Sequence, residues 1–561
     1  MRSEQVVAAQ PSSRASRLAI AVSAFLVSLA YFQRIRDFDL WWHMATGRWI
    51  WENKALPAVD TFSYTVPGQR WRYVNWLADL VLFGWFEVGG IEGLVVLQVL
   101  LALGFCSFVG LTLFELGART PAVISTILLV GMWVQPRFTN LRPMCLGALC
   151  LSSVVYLAVR FWKRRDSSVV GIAPIVALWL PIHGAVIIAV GVLGVLAVAA
   201  LLDRRPRRDL ALVGGTLAVV SLIFASTSLG RDTVFHVFAA VDHVPAILMV
   251  QEWAKVSGSR FVYTPLISAA IATLLLLTNP RKNLLPIGLA LLGFALSHEY
   301  QRNVYESLFL FAPALGLSLS RLTDALAPFR ALGRLAAPAL ATLAFNVHLS
   351  LMKSGVRWDH NFLALHFGLR LDPADHPTDT AAKLSTLPRG RVLHDFALGG
   401  WLIWHRSLPD GVFADGRTVG LYERFLAETY APAIASAPGL ERVADQYDVT
   451  YGLARYDSPL MALMTISEWV PLEYGTSSAL FIRKSKLGIL RDLPTLEPLR
   501  YAEGIDGFLA AWYSRVFQTN ELRDELYAAI RRSQRAAPNN PALIRATGYL
   551  DLAGYPLPKD P

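Results

Sequence analysis

Long apolar runs alternate with short polar loops through the first part of the chain, up to about residue 350. Most of these runs are close to the roughly 20 residues that a helix needs to cross the hydrocarbon core of a bilayer. Pro181 and the pair His183-Gly184 divide what would otherwise be one overlong run. The pattern predicts a polytopic α-helical membrane protein with about eleven spans, at residues 18–33, 92–115, 119–136, 143–162, 168–180, 183–202, 209–227, 262–278, 284–298, 304–320 and 332–351.

The pattern changes at about residue 353, where short β-branched or apolar segments alternate with helical ones. This alternation is typical of an α/β domain, with strands expected at 391–393, 411–414, 450–454 and 478–483, and helices at 378–387, 421–435, 440–447 and 458–469. The sequence thus divides into a disordered cytoplasmic tail (1–17), a transmembrane module (18–352) with a long outer loop (34–91), a soluble extracytoplasmic α/β domain (353–485) and a short helical tail (486–561).

The outer loop opens on an unusual segment, RDFDLWWHMATGRWIWEN at residues 36–53, directly after the first span. Its helical spacing gathers aromatic side chains on one face. Such a pattern is typical of a helix that lies flat in the membrane interface with its tryptophans at headgroup level. A turn is expected at Pro67-Gly68, and residues 74–88 are predicted to form a second flat helix.

Composition and charge support a membrane protein and indicate its orientation. The chain is 54% hydrophobic and only 17% charged, whereas soluble proteins carry about 25% charged residues. With the N-terminus inside, the predicted cytoplasmic loops hold about seventeen basic residues and the short outer loops about six. This bias explains the net charge of +10 without a nucleic-acid partner. It predicts a cytoplasmic N-terminus and a periplasmic or extracellular α/β domain.

The same topology gathers the unusual polar residues on the outer side. A charge within a span costs about 3 kcal/mol at the bilayer centre and less toward its surface, so such residues tend to face a polar cavity. Arginine binds phosphate through its planar fork, and a positioned aspartate accepts a proton from a hydroxyl. The candidates are Asp37 and Asp39 as catalytic carboxylates, with His43, Arg137, Arg142, His183, Glu252 and Arg302 as substrate-binding residues.

Each candidate also has an ordinary structural interpretation. Asp37 and Asp39 could be solvated interfacial charges or helix caps, although His43 on the same helical face favours a site. Arg142 before Pro143 could anchor its helix to lipid headgroups. His183 could be structural, and Glu252 could be a solvated loop residue. The Asp37-x-Asp39 pair could hold a divalent cation such as Mg²⁺ or Mn²⁺, but two carboxylates alone do not define a metal site.

These motifs resemble those of the C-type (GT-C) glycosyltransferase superfamily, and in particular a branch of bacterial membrane proteins. The branch pattern is DxDLWWHLxTGxxI, then DxFSxT and xxxxWL, then an Arg-Pro, a His-Gly, a Glu-Trp, an Arg-Asn and a GGYLIW…DGR segment. Here it is matched, over residues 18–485, by 37–50, 57–77, Arg142-Pro143, His183-Gly184, Glu252-Trp253, Arg302-Asn303, 399–404 and 415–417. This chain departs from it at Val74-Asn75, where relatives carry His-Glu.

The resemblance implies a GT-C-like fold and an inverting transfer of a sugar from a polyprenyl-phosphate-linked donor to a glycan, lipid or protein acceptor on the outer face. It implies that Asp37 or Asp39 is the catalytic base and that Arg142, His183 and Arg302 contact the donor phosphate. Asp395, Asp415 and Arg417 could bind acceptor, or the last two could simply close a strand end. The alternative functions are a transporter or flippase of lipid-linked saccharides and a non-enzymatic scaffold for envelope polysaccharide assembly.

Overall fold

The computed structural model describes residues 14–71, 73–234, 262–298, 300–326, 368–371, 375–455, 458–475 and 477–490, together with residues 256 and 531. These residues belong to two compact units, each built from two stretches of chain. The helical unit draws on Met1–Ile35 and Val74–Arg370, and the mixed unit on Arg36–Tyr73 and Leu371–Pro561. The start of the predicted outer loop therefore folds with the C-terminal part of the chain.

The helical unit is built from apolar α-helices joined by short connections. Each predicted span within the described residues coincides with a helix, while the predicted span 332–351 lies outside them. Among described residues, the helices long and apolar enough to cross a membrane are Trp76–Leu116, Pro143–Arg164, Gly184–Leu202 and Arg207–Ser226. The helices of this unit are α1 (Arg14–Ser28), α3 (Trp76–Leu116), α4 (Thr120–Phe138), α5 (Pro143–Arg164), α6 (Ile172–Trp179), α7 (Ile188–Leu202), α8 (Arg207–Ser226), α9 (Tyr263–Leu277), α10 (Leu284–Ser297) and α11 (Gln301–Ala325).

Helix α3 contains a break that the sequence pattern anticipates. Gly90 has φ 59° and ψ −152°, a conformation that is accessible mainly to glycine. The break separates a first helical part, close to the predicted flat helix 74–88, from a second part that corresponds to the predicted span 92–115.

The mixed unit contains a four-stranded sheet of order β1-β2-β4-β3. Strand β1 pairs parallel to β2, whereas β2 pairs antiparallel to β4 and β4 antiparallel to β3. Residues 418–435 form a run of short helical turns. The strands are β1 (Arg391–His394), β2 (Val449–Arg455), β3 (Trp469–Tyr474) and β4 (Ser478–Arg483), and the helices are α2 (Asp39–Asn53), α12 (Thr378–Leu384), α13 (Gly399–Trp404), α14 (Ala437–Gln446) and α15 (Pro459–Ile466).

Helix α13, formed by the GGWLIW segment, is buried along its whole length. Two of the predicted elements in this unit are wrong. Residues 411–414 form no strand; they contribute a single parallel bridge between Val412 and Ser63. Strand β3 took the place of the end of the predicted helix 458–469, because Trp469 begins a ladder against β4.

Helix α2 is not a flat interfacial helix of the kind the aromatic pattern suggested. Its Trp41 is 1% exposed and its Trp42 is 7% exposed, since the helix packs against α13 inside the mixed unit. Trp41 meets Trp401 edge to face, with ring centroids 4.6 Å apart. Only the far end of the helix presents a tryptophan to the outside, Trp51, which is 61% exposed. Trp41 and Trp42 are thus core residues of a folded domain.

Candidate functional site

The start of α2 gives its two aspartates different environments. Asp37 is buried, and its Oδ1 accepts a hydrogen bond at 3.2 Å from the backbone N–H of Asp39, the first residue of the helix. Asp39 is the first residue of the helix and is only partly buried. His43 follows one turn later, buried and stacked on Trp42 with ring centroids 3.5 Å apart. Asp39 is thus the carboxylate with the better access to a ligand.

The DTFSYT segment forms a turn that is organised by Asp60. Its Oδ2 accepts hydrogen bonds from the backbone N–H and the hydroxyl of Ser63 at 3.0 and 2.6 Å. The turn is joined to the C-terminal segment by backbone hydrogen bonds, from Val412 N to Phe62 O at 2.9 Å and from Tyr64 N to Val412 O at 3.1 Å. These hydrogen bonds join residues 60–64 to Val412, so two motifs that are distant in the sequence are adjacent in the fold.

A fully buried ion-pair network lies at this junction. Arg417 contacts Asp415 through two hydrogen bonds of 2.7 Å and Asp60 at 2.7 Å, and all three side chains have no exposed surface. The Tyr422 hydroxyl donates to Asp415 at 3.0 Å. Burial alone opposes the charged form, but Asp415, Tyr422 and Asp60 raise the pKa of Arg417 above its ordinary value. Asp415 and Arg417 therefore use their charges to join two segments rather than to contact an acceptor.

Aromatic rings enclose the guanidinium and connect it to α2. The Arg417 guanidinium lies 4.8 Å from the ring centroid of Trp71 and 4.9 Å from that of Phe62, distances typical of cation–π contacts. Trp71 in turn meets Trp42 at 6.5 Å between centroids. The ion-pair network and the start of α2 are thus parts of one packed region.

Asp395, the remaining acid of the C-terminal motifs, also has a structural role. Its Oδ2 accepts from the backbone N–H of Arg455 at 2.5 Å, and its Oδ1 accepts from the Ser458 hydroxyl. The neighbouring His394 accepts from Phe413 N at 2.9 Å through Nε2 and faces Asp395 O at 2.9 Å through Nδ1. Burial lowers the pKa of His394 to about 4, so the ring is neutral and donates its Nδ1 proton to that carbonyl.

In the helical unit, the predicted phosphate ligands lie where helices begin. Arg142 is the extended residue before α5. His183 precedes a short 3₁₀ turn and accepts from Ala185 N at 3.3 Å through Nδ1. A β-carbon at Gly147, in the second turn of α5, would lie 3.4 Å from His183 Cβ. The structure therefore brings the start of α5 and the His183 turn together, as the topology requires.

Arg302 belongs to the same end of the helical unit. The backbone N–H of Arg119, just before α4, donates to Ser320 near the end of α11 at 2.9 Å, so the two helices run antiparallel. The end of α4, which leads to Arg142, is thus on the same side as the start of α11, which carries Arg302. Arg137 lies in the last turn of α4, whereas Glu252 is outside the described residues.

The predicted divalent cation finds little support in these side chains. Within the described ranges, no three His, Cys, Asp or Glu side chains converge into a group that could hold a metal ion. One oxygen of Asp37 already accepts a hydrogen bond from the helix. The Asp37-x-Asp39 pair does not by itself make a cation site, so we assign no chemical step to a metal.

The two units together define a class: a membrane protein that joins an apolar helical unit to a soluble-type α/β unit. No family model and no curated protein matches the sequence. Solved structures do match. One is the archaeal oligosaccharyltransferase AglB from Archaeoglobus fulgidus in complex with an inhibitory peptide and a dolichol-phosphate, with TM-score 0.58, 13% identity, and coverage of 94% of this chain and 83% of that one.

A second match is the Archaeoglobus fulgidus oligosaccharyltransferase in complex with Zn and sulfate, with TM-score 0.52, 12% identity, and coverage of 96% and 87% of the two chains. ArnT from Cupriavidus metallidurans gives TM-score 0.48 at 16% identity, with coverage of 83% and 96%. The two oligosaccharyltransferase structures show that this chain shares their fold, and the predicted GT-C-like resemblance is confirmed at the level of the fold. The likeness to one bacterial branch and the number of spans stay predictions.

Proposed function

We propose that this protein is a membrane glycosyltransferase that moves a sugar from a polyprenyl-phosphate-linked donor to an acceptor on the outer face of a bacterial inner membrane. The observation that carries the proposal is the partly buried Asp39 carboxylate at the start of α2 in a chain of GT-C fold. The dolichol-phosphate bound to AglB supports a lipid-linked donor. The inhibitory peptide in the same complex is a reason to include peptides among the acceptors to be tested.

Glycosyl transfer needs a base for the acceptor and cationic groups for the leaving phosphate. We assign Asp39 as the base. It takes the acceptor proton as the acceptor oxygen bonds to the anomeric carbon, the bond from that carbon to the phosphate oxygen breaks, and polyprenyl phosphate leaves. One displacement inverts the anomeric centre. Asp37 holds the first turn of α2 in place for Asp39.

Arg142, His183 and Arg302 fit the phosphate role, because each sits at a helix start, where backbone N–H groups and the helix dipole favour an anion. Their grouping at one end of the helical unit also argues against a flippase, since a transporter builds its site from broken helices near the bilayer midplane. The donor sugar and the acceptor are not assigned.

The test uses the full chain in lipid nanodiscs with a panel of synthetic polyprenyl-phosphate-linked sugars, each offered with hydroxyl and peptide acceptors. Release of polyprenyl phosphate is followed by mass spectrometry. Asp39→Asn should lower kcat by about 10²- to 10⁴-fold, the usual contribution of a general base. Asp37→Asn should lose less than about tenfold, since its amide oxygen can still accept the hydrogen bond from the Asp39 backbone.

The exposed Glu428→Gln serves as the matched control and should retain the wild-type rate. Transport of the intact lipid-linked sugar without release of polyprenyl phosphate would identify the protein as a flippase. A full rate in Asp39→Asn would remove Asp39 from the mechanism.

A further inference from the structure

The segment Asp415-Gly416-Arg417 approaches Asp39 more closely than any side chain would permit. A β-carbon at Gly416 would overlap Asp39 Oδ1 and Trp42 Nε1, and would lie 2.8 Å from Trp42 Cδ1. The glycines with positive φ in the described chain are others, including Gly411 with φ 90°. Gly416 is therefore required for space against α2, not for a left-handed backbone.

The residues on both sides of Gly416 hold this segment rigidly. Arg417 donates from its backbone N–H to Asp415 Oδ1 at 3.0 Å, and its side chain bonds to Asp415 and Asp60 at 2.7 Å without exposed surface. A buried ion-pair network of this kind favours one geometry, since shifting any member leaves a charge unpaired away from water. The backbone at Gly416 is therefore held in a fixed position against α2.

Asp39 and Trp42, which both lie against the backbone of Gly416, differ in burial. Trp42 is 7% exposed and lies between His43 and Trp71, so its indole has little room to move. The Asp39 carboxylate is the end of a short side chain at a partly buried position. Because the carboxylate is the less buried of the two groups, we expect a group added at Gly416 to displace it first.

We propose that the Asp415-Gly416-Arg417 segment is a positioning element for the Asp39 carboxylate: the Asp60–Arg417–Asp415 network holds the backbone of Gly416 against Asp39 and so sets the direction in which the carboxylate points. The catalytic part of this inference rests on the proposed function. The structural part concerns only Asp39 and Gly416, and it can be measured without a substrate.

The decisive variant is Gly416→Ala, and Gly411→Ala is its matched control in the same segment. A β-carbon at Gly411 would lie 2.6 Å from Phe62 O on a backbone with φ 90°, far from the Asp39 contact. Gly411→Ala should therefore lower the melting temperature while keeping kcat per folded molecule. Gly416→Ala should lower kcat by about 10²-fold, the effect of an ångström-scale misplacement, with an unchanged KM for the donor.

The substrate-free measurement is carboxylate labelling of the full chain in nanodiscs with a water-soluble carbodiimide and glycinamide, read by peptide mass spectrometry. Gly416→Ala should raise the labelling rate of Asp39 several-fold, whereas Gly411→Ala should leave it at the wild-type value. Equal Asp39 labelling in wild type and Gly416→Ala would overturn the inference. If no donor is turned over but Asp39 labelling changes as expected, the proposed function fails and the positioning role stands.

Discussion

Two ion pairs, one from each unit, show the same chemistry at different depths. In the helical unit, Arg164 makes two hydrogen bonds of 2.7 and 2.8 Å to Glu115 with half of its side chain exposed. In the mixed unit, Arg417 makes the same two-pronged contact to Asp415 with no exposed surface at all. The arginine is at the surface in the first pair and in the core in the second.

This difference in burial helps to separate the structural aspartates of the motifs from one with a chemical role. Asp60, Asp415, Asp395 and Asp37 all direct at least one oxygen into the folding of the mixed unit, by pairing with Arg417, accepting backbone hydrogen bonds or bridging segments. Asp39 stands at a helix start beside a glycine. A motif rich in aspartates therefore holds mostly structural groups around a single carboxylate with a chemical role, which is our reason for separating Asp39 from Asp37.

The largest effect should come from removing the shared cation. Arg417→Met keeps the volume but leaves Asp60 and Asp415 buried and unpaired, at a cost of about 3–5 kcal/mol in the free energy of unfolding. Arg119→Met breaks an exposed contact of the helical unit, with Asp324, and should cost about 0–1 kcal/mol. Melting in detergent, combined with hydrogen exchange of residues 58–71 and 411–422, measures both. Similar losses in the two variants would abolish the distinction between the buried and the exposed pair.

Sequence reasoning reached the architecture because it relies on periodicity and length. Within the described residues, each apolar run predicted as a span coincides with a helix, and three of the four strands were placed within a residue or two. It missed the location of α2, because a helix with aromatics on one face looks the same whether that face meets lipid or a folded domain. The partner surface, helix α13, is about 350 residues away along the chain.

The candidate site was only partly accessible to the same reasoning. Topology alone put Arg142, His183 and Arg302 at one end of the helical unit, and helix contacts there agree. Nothing local marks Asp60 as the partner of Arg417, since an ion pair across more than 300 residues leaves no spacing to recognise. The DGR motif marks the position of Gly416 but not its role, because that role depends on the absence of a side chain.

A loss of stability on acidification, intermediate in size among these effects, is expected for the mixed unit. Burial lowers the pKa of His394 to about 4, below the value of about 6.5 in an unfolded chain. Its neutral form therefore stabilises the fold fully above pH 6.5, and this contribution is lost as the pH falls from 6.5 to about 4, by about 3 kcal/mol in total.

Hydrogen exchange of the mixed unit between pH 7 and pH 4.5, corrected for the intrinsic exchange rate, tests this expectation. His394→Gln should be less stable at pH 7 but should lose less stability on acidification. His298→Asn, in the helical unit where the ring is exposed, is the control and should retain the wild-type slope. An unchanged slope in His394→Gln would show that this imidazole does not control the acid sensitivity.

The smallest expected changes in stability come from substituting two glycines, one from each unit. A β-carbon at Gly400 in α13 would lie 2.8 Å from Phe38 O and 3.0 Å from Trp42 N, so Gly400→Ala should cost about 1–3 kcal/mol by overpacking. At Gly84 in α3 a β-carbon meets nothing within 4 Å, and Gly84→Ala should gain about 0.5–1 kcal/mol from helix propensity. The sign of the change in melting temperature is the measurement. If both variants moved it the same way, the close packing of α2 on α13 would not be what distinguishes the mixed unit, and the burial of Trp41 and Trp42 would need another cause.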